Sequence, residues 1–211
     1  MFRPALGLIG VLIFLLVPYS SHAQQAEAPV YKDGDWWRVK VDVVRPTGVS
    51  VAGEFLERFP EYLVRFESNQ PKVFGVQGNE SKEVNSEAAT ALVLGRPAWL
   101  GEMLRFPLRV GLTWSDRVKF QPPGMQMRLE DVKYEVQAWE KIKTPKGEFD
   151  AFKIVMTMRA PGPKPLAPGE TRTHTYYYAP DVKAIVSFDT SGSFRLASTL
   201  IDFRLSKQDL R

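Results

Sequence analysis

The sequence contains no cysteine. Disulfide bonds are therefore excluded, and so is a lipid-modified cysteine at a processed N-terminus. Because no covalent cross-link is available, the folded state has to be held together by its apolar core.

Histidine is scarce, with only His22 and His174 in the chain. A catalytic triad would need His174 as its base, yet no Gly-x-Ser-x-Gly turn is present to carry a nucleophile. Zinc sites usually need three or four ligands, and the glycine-rich phosphate-binding motifs are absent. We therefore predict a protein without metal, cofactor or catalytic residues, and interpret His174 as a structural or surface residue.

Charge of one sign is not concentrated anywhere. The chain has 28 lysines and arginines against 24 acidic residues, a formal charge of +4, and no basic run of the kind that follows nucleic-acid phosphates. Nucleic acid is therefore not an expected partner. The carboxylates cluster at Glu130, Asp131, Glu140, Glu148 and Asp150. They are better explained as the solvated face of the strands, or as cross-strand partners of Lys133, Lys141 and Lys153, than as an acid–base pair.

One apolar run stands at the N-terminus, over residues 5–17, after the positive charge of Arg3. Small residues precede Gln24, in the order Ser21-His22-Ala23. This pattern predicts a signal peptide over 1–23, cleaved after Ala23. A membrane anchor is the alternative, but the run is shorter than the roughly 20 residues that span a bilayer. We expect no stable membrane span after cleavage, and a single β-rich domain over 24–211 with 24–30 disordered.

Alternation of apolar and polar residues indicates a sheet with one buried face. It predicts about nine strands and few long connections. The predicted strands are Trp36–Val44, 50–55, 62–66, 72–76, 132–144, 147–158, 171–179, 183–189 and 194–205. Pro107 indicates that 104–116 is an edge strand or an irregular segment and not an interior strand. Such a succession predicts an antiparallel meander that forms a half-open or closed barrel, lipocalin-like or lipoprotein-carrier-like, with one short helix.

The longest predicted hairpin is organised around Thr144-Pro145-Lys146-Gly147. Proline suits the second position of a turn, and Gly147 suits its last. The helix is predicted over 86–94, because Ser86 can cap it and Gly95 with Pro97 can end it.

Aromatic residues are numerous, with 5 Trp, 7 Tyr and 13 Phe. One interpretation is that they fill the core of the sheet. The other is that some line a pocket, and the candidates for ligand binding are Trp99, Leu100, Trp114, Tyr176 and Tyr178. Trp99 and Leu100 lie between the helix and the proline-broken strand, so we expect them to form a lid.

Three segments resemble an exported family of Gram-negative envelopes, the domain-of-unknown-function-3108 family. They read FPLRVGLTW (106–114), EKIKTPKGEFDAFKI (140–154) and TYYYAPDVKAIV (175–186), and the resemblance covers about 106–205. Lys146 replaces the small residue usual before the turn glycine. The resemblance implies a secreted, β-rich periplasmic domain with no established activity, in which Pro145 and Gly147 shape the hairpin and Phe149 packs in the core.

Three functions remain open at this point. The first is a periplasmic, non-catalytic carrier of an apolar or lipid-like envelope ligand. The second is an assembly or scaffolding module that binds an envelope protein or glycan. The third, a polysaccharide hydrolase, is the least favoured, since it would require a pair of facing carboxylates.

Overall fold

The computed structural model describes residues 24–44, 58–95, 103–120, 128–159, 172–190 and 195–206. These residues form twelve strands, one α-helix and one short 3₁₀ helix. They are β1 (Gln25–Ala26), β2 (Trp36–Val44), β3 (Glu61–Glu67), β4 (Gln70–Gln77), β5 (Glu80–Glu83), α1 (Glu87–Leu94), β6 (Leu108–Arg109), β7 (Thr113–Phe120), β8 (Arg128–Thr144), β9 (Gly147–Arg159), β10 (Arg172–Ala179), the 3₁₀ helix Pro180–Val182, β11 (Ala184–Thr190) and β12 (Arg195–Arg204).

Ten strands form one antiparallel sheet in the order β5-β4-β3-β2-β12-β11-β10-β9-β8-β7. Each strand lies beside its neighbour in sequence, except at the centre, where β2 pairs with β12 over Trp36–Val44. The sheet therefore consists of two meanders joined by the first and last long strands of the described chain.

The mainly β, antiparallel architecture is confirmed, but the closed barrel is not. Within the described residues, the two edge strands β5 and β7 do not pair with each other, so no sheet closes. The chain between those edges forms α1 and the short strand β6, which pairs with β1 outside the large sheet. Closure would have required β5 to lie directly beside β7.

The helix follows its sequence signals. The Ser86 side chain accepts a hydrogen bond from the Ala89 amide at 3.2 Å, as an N-cap does. Gly95 ends the helix at φ 65°, where glycine has no steric penalty. Its hypothetical Cβ would lie 2.6 Å from the Leu104 side chain, so the absence of a side chain also allows the following segment to pack close.

Other predictions from the sequence can also be compared with the structure. Pro107 follows a cis peptide bond and precedes β6, and the edge strand β7 begins at Thr113, as the predicted edge or irregular segment requires. Residues 24–30, predicted to be disordered, carry β1 instead, because Ala26 is buried beside Leu108. The signal peptide, strand 50–55, Trp99 and Leu100 lie outside the described residues.

The β8–β9 hairpin extends beyond its neighbour β10. Strand β10 pairs with β9 only as far as Phe152, and residues 140–151 form a hairpin arm whose strands pair with each other. At its tip Lys146 forms an ion pair with Asp202 of β12, and Phe149 lies edge-on to Phe203 at 6.0 Å. The sheet therefore curls so that the arm reaches β12, which lies three places from β9 and four places from β8 in the sheet order.

Candidate binding face

One side of the curled sheet is apolar, and we call it the inner face. Alternate side chains of the longer strands point toward it and many of them are almost fully buried, which is the pattern of a sheet that is covered on one side. Its members include Trp37, Val39, Tyr62, Val64, Trp114, Val132, Tyr134, Ile154, Met156, Met158, Tyr176, Tyr178 and Leu200.

The inner face is covered by helix α1 and by residues 103–108. We call residues 103–108 the covering segment. Helix α1 packs against β3, β4 and β11. The Tyr176 hydroxyl donates a hydrogen bond to the Met103 carbonyl at 2.8 Å, and the Phe106 ring lies edge-on to Tyr178 at 5.5 Å. A second strand layer is therefore replaced here by one short helix and six residues of irregular chain.

Three of the five predicted ligand-binding residues lie on the inner face. The Trp114 ring stacks on the Tyr134 ring, with centroids 4.8 Å apart. Tyr176 and Tyr178 are alternate residues of β10, so both side chains point to this face. Their exposures are 5%, 0% and 1%, so in this conformation they contact protein. Their role in binding stays a prediction, as does that of Trp99 and Leu100, which lie outside the described part of the chain.

Burial sets the protonation of these phenols. Desolvation, with a smaller contribution from nearby Tyr134, raises the pKa of Tyr176 well above its ordinary value. Desolvation followed by the charge of Asp116 also raises the pKa of Tyr134. Both groups are neutral at physiological pH, so Tyr176 acts here as a hydrogen-bond donor in an apolar surrounding.

His174 is the only histidine among the described residues. His174 occupies the inner-face register between Met156 and Thr190, and its ring lies edge-on to Phe188 at 5.7 Å. In the part of the chain that the structure describes, no group of three metal-ligating side chains occurs. Among the described residues, no helix is long and apolar enough to cross a bilayer.

The clustered carboxylates have the cationic partners expected on strands. Lys141 pairs with Asp150 at 3.0 Å and Lys143 with Glu148 at 3.7 Å, each across the hairpin arm. The four side chains are between 45% and 83% exposed, so the pairs contribute little to stability. Glu148 and Asp150 are therefore cross-strand partners of lysines, which is one of the two roles that the sequence predicts for such acids.

The opposite, outer face is polar and covered by such pairs. A shallow depression of about 320 Å³ lies on it, lined by residues that include Arg38, Leu63, Val76 and Ser81. The Arg38 guanidinium in this depression donates to Glu61 at 2.6 Å and is therefore already neutralised. The inner face is the better candidate for a ligand with apolar parts.

Sequence reasoning did not identify Met103 as part of this site. Its contribution is a backbone carbonyl, which every residue carries, so residue type holds no signal for it. Tyr134 was recognised only as one apolar position in the alternation of β8, because its stacking on Trp114 depends on the β7–β8 register.

Comparisons with known proteins identify no family. No protein-family model matches the chain, and no curated protein matches it. Among solved structures, a protein described as a lipoprotein from Parabacteroides distasonis is 14% identical with a TM-score of 0.39, covering 86% of this chain and 100% of its own. A protein described as exported with a YmcC-like fold, from Bacteroides fragilis, is 13% identical with a TM-score of 0.36, covering 85% and 99%. Similarity at this level supports no conclusion about function.

Proposed function

We propose that the protein is an exported, non-catalytic carrier that binds an apolar or lipid-like envelope ligand on its inner face. The observation that supports this proposal most is how few of the described residues cover that face. An open ten-stranded sheet presents a continuous apolar surface, and only α1 and residues 103–108 are seen to cover it among the described residues.

The energetics favour a ligand with a long apolar part. Each methylene group that leaves water stabilises a complex by about 0.8 kcal/mol. The inner face offers flexible methionines at Met156 and Met158 and broad rings at Trp114 and Tyr134, which can adapt to a chain of variable shape. Hydrocarbon chains therefore fit this surface better than a sugar or a charged peptide would.

Export is the second part of the proposal. It is supported by the charged, apolar and small-residue pattern of residues 1–23 and by the resemblance of residues 106–205 to a secreted family. The envelope of a Gram-negative cell is rich in lipids that need a protein to cross water, which fits a periplasmic carrier.

The test is to identify what the protein carries and where. Protein purified from its own periplasm is analysed by native mass spectrometry, and we expect a co-purifying species with the mass of a lipid. A diazirine-labelled fatty acid is then cross-linked, and the labelled residues are mapped. Label on inner-face positions such as Met156 and Met158 supports the carrier. Label confined to their outer-face neighbours Val155 and Thr157, or no bound species, contradicts it.

An assembly module is the second candidate, and one observation favours it. Strand β7 is an eight-residue edge, which pairs only with β8 within the described sheet. An edge of this length can accept a strand from a partner protein. A stable protein partner captured by in-cell cross-linking at β7, with no lipid bound, would favour this function over the carrier.

A further inference from the structure

The hydrogen bond from Tyr176 to Met103 lies in the interior of the protein. Tyr176 has an exposure of 0% and Met103 of 1%, and their donor and acceptor are 2.8 Å apart. Two polar groups are thus paired with each other away from water. Separating them without replacement leaves a buried donor unsatisfied, which is costly.

The covering segment occupies the place of a ligand. Met103, Leu104 and Leu108 are buried against the inner face, and Phe106 contacts Tyr178. The two-residue strand β6 pairs with β1, so this stretch is joined to the large sheet mainly through side chains and not through a ladder of backbone bonds. An apolar chain that displaces residues 103–106 would find their apolar contacts and the phenolic donor of Tyr176.

From this geometry we propose that the Met103 carbonyl stands in for a carbonyl of the ligand, and that the ligand is a fatty acyl ester or amide. The acyl chain takes the place of the side chains of residues 103–106, and its carbonyl oxygen accepts the hydrogen bond from Tyr176. This inference rests on the proposed carrier function and narrows its ligand to acyl compounds.

The Tyr176 hydroxyl should make the protein select an acyl ester over a hydrocarbon. Because burial keeps the Tyr176 phenol protonated, it donates throughout the physiological pH range. A plain hydrocarbon of the same length gains the apolar contacts but leaves this donor without an acceptor. An ester satisfies it, so the hydroxyl should contribute a preference for the ester of about five- to a hundredfold.

The experiment measures displacement of the fluorescent apolar probe 1-aminoanthracene by methyl laurate and by tridecane, both delivered from cyclodextrin. The ratio of the two affinities is determined for the wild-type protein, Tyr176→Phe and the control Tyr177→Phe. Tyr177 is the next residue of β10, but its side chain points to the opposite side of the sheet, where it forms a hydrogen bond with Glu140. Comparing ratios between variants cancels the different hydrophobicity of the two ligands.

We expect Tyr176→Phe to lower the ester preference about five- to a hundredfold, and Tyr177→Phe to leave it unchanged. If both ligands bind and the ratio is the same in all three proteins, the acyl assignment is overturned while the carrier function stands. If neither ligand displaces the probe or binds, the carrier function itself fails.

A measurement on the wild-type protein keeps the proposal testable should Tyr176→Phe fold poorly. Methyl laurate labelled with ¹³C at its carbonyl is followed by infrared spectroscopy. A hydrogen bond from Tyr176 moves the bound carbonyl band to lower wavenumber than in an apolar solvent. A bound ester whose band stays at the apolar-solvent position overturns the proposal.

Discussion

Single residues determine the conformation of the turns in this fold, and buried tyrosines determine how its stability depends on pH. Gly147 adopts φ 146°, a region that side chains rarely enter, and a Cβ added there would meet no atom within 4 Å. The Thr144 hydroxyl accepts from the Lys146 amide and donates to the Gly147 carbonyl, which fixes the two-residue turn. Conformation and local hydrogen bonds, not packing, therefore determine which residues the turn accepts.

Gly147→Val should for this reason destabilise the protein by about 1–3 kcal/mol through backbone strain alone. Pro145→Ala should cost less, about 0.4–1 kcal/mol, because it acts by adding freedom to the unfolded chain. Urea unfolding midpoints of both variants measure this. Unchanged midpoints in both would mean that the turn does not constrain the hairpin.

Buried tyrosines should make the fold sensitive to alkali. Desolvation is the largest cause of the raised pKa of Tyr62, Tyr134 and Tyr176. Their neutral forms are favoured in the folded state, whereas the unfolded chain ionises near pH 10. The stability they contribute is therefore complete below about pH 10 and is lost as the pH rises above it.

The check is a spectrophotometric titration of tyrosinate at 295 nm alongside circular dichroism. We expect part of the tyrosine signal to appear only together with unfolding. The cleaved chain lacks Tyr19 and retains six of the seven tyrosines. Complete and reversible ionisation of all six near pH 10, with the sheet intact, would contradict the burial of these phenols.

Elements are tied together at the start of β2. The Asp35 carboxylate has an exposure of 0% and accepts from the Ser206 amide at 2.6 Å and the Lys32 amide at 2.9 Å, with the Lys183 ammonium at 3.6 Å. The Asp35 carbonyl accepts from the Phe66 amide at 2.8 Å. One residue thus joins β2 to the ends of β3 and β12 and to the 3₁₀ turn.

Asp35→Ala should therefore destabilise the protein by about 3–5 kcal/mol, because two partly buried amide donors and a partly buried cation lose their acceptor. Asp42→Ala is the matched control, since its carboxylate is more than half exposed and pairs with Lys40 on the surface. It should cost less than about 1 kcal/mol. Equal denaturation midpoints for the two variants would refute the role of Asp35 as a junction.

At the scale of the whole molecule, one curled sheet supports all other elements. The central pair of β2 and β12 joins the two meanders, and the hairpin arm reaches β12 through Lys146 and Phe149. This arrangement leaves the inner face to be covered by α1 and the covering segment. The proposed carrier function belongs to the assembled sheet and not to any single motif.

The proposed export is tested on the whole protein. We expect the periplasmic fraction to contain a chain that begins at Gln24, after cleavage behind Ala23. N-terminal sequencing of that fraction decides the matter. A chain that retains Met1 and stays in the membrane fraction would contradict both the cleavage site and the periplasmic location.

The sequence by itself determined the local structure. Alternation specified most of the described strands, Ser86 and Gly95 bounded the helix, and Pro145 with Gly147 marked the long hairpin, because these signals act between residues close in the chain. Strand β5 was missed, since its four residues are all exposed and show no alternation. The tertiary structure alone decided that β2 lies beside β12, that the sheet stays open, and that Tyr176 meets the carbonyl of Met103. Pairing between distant strands and the position of a backbone carbonyl depend on the whole assembled core, and neither is written in any short stretch of residues.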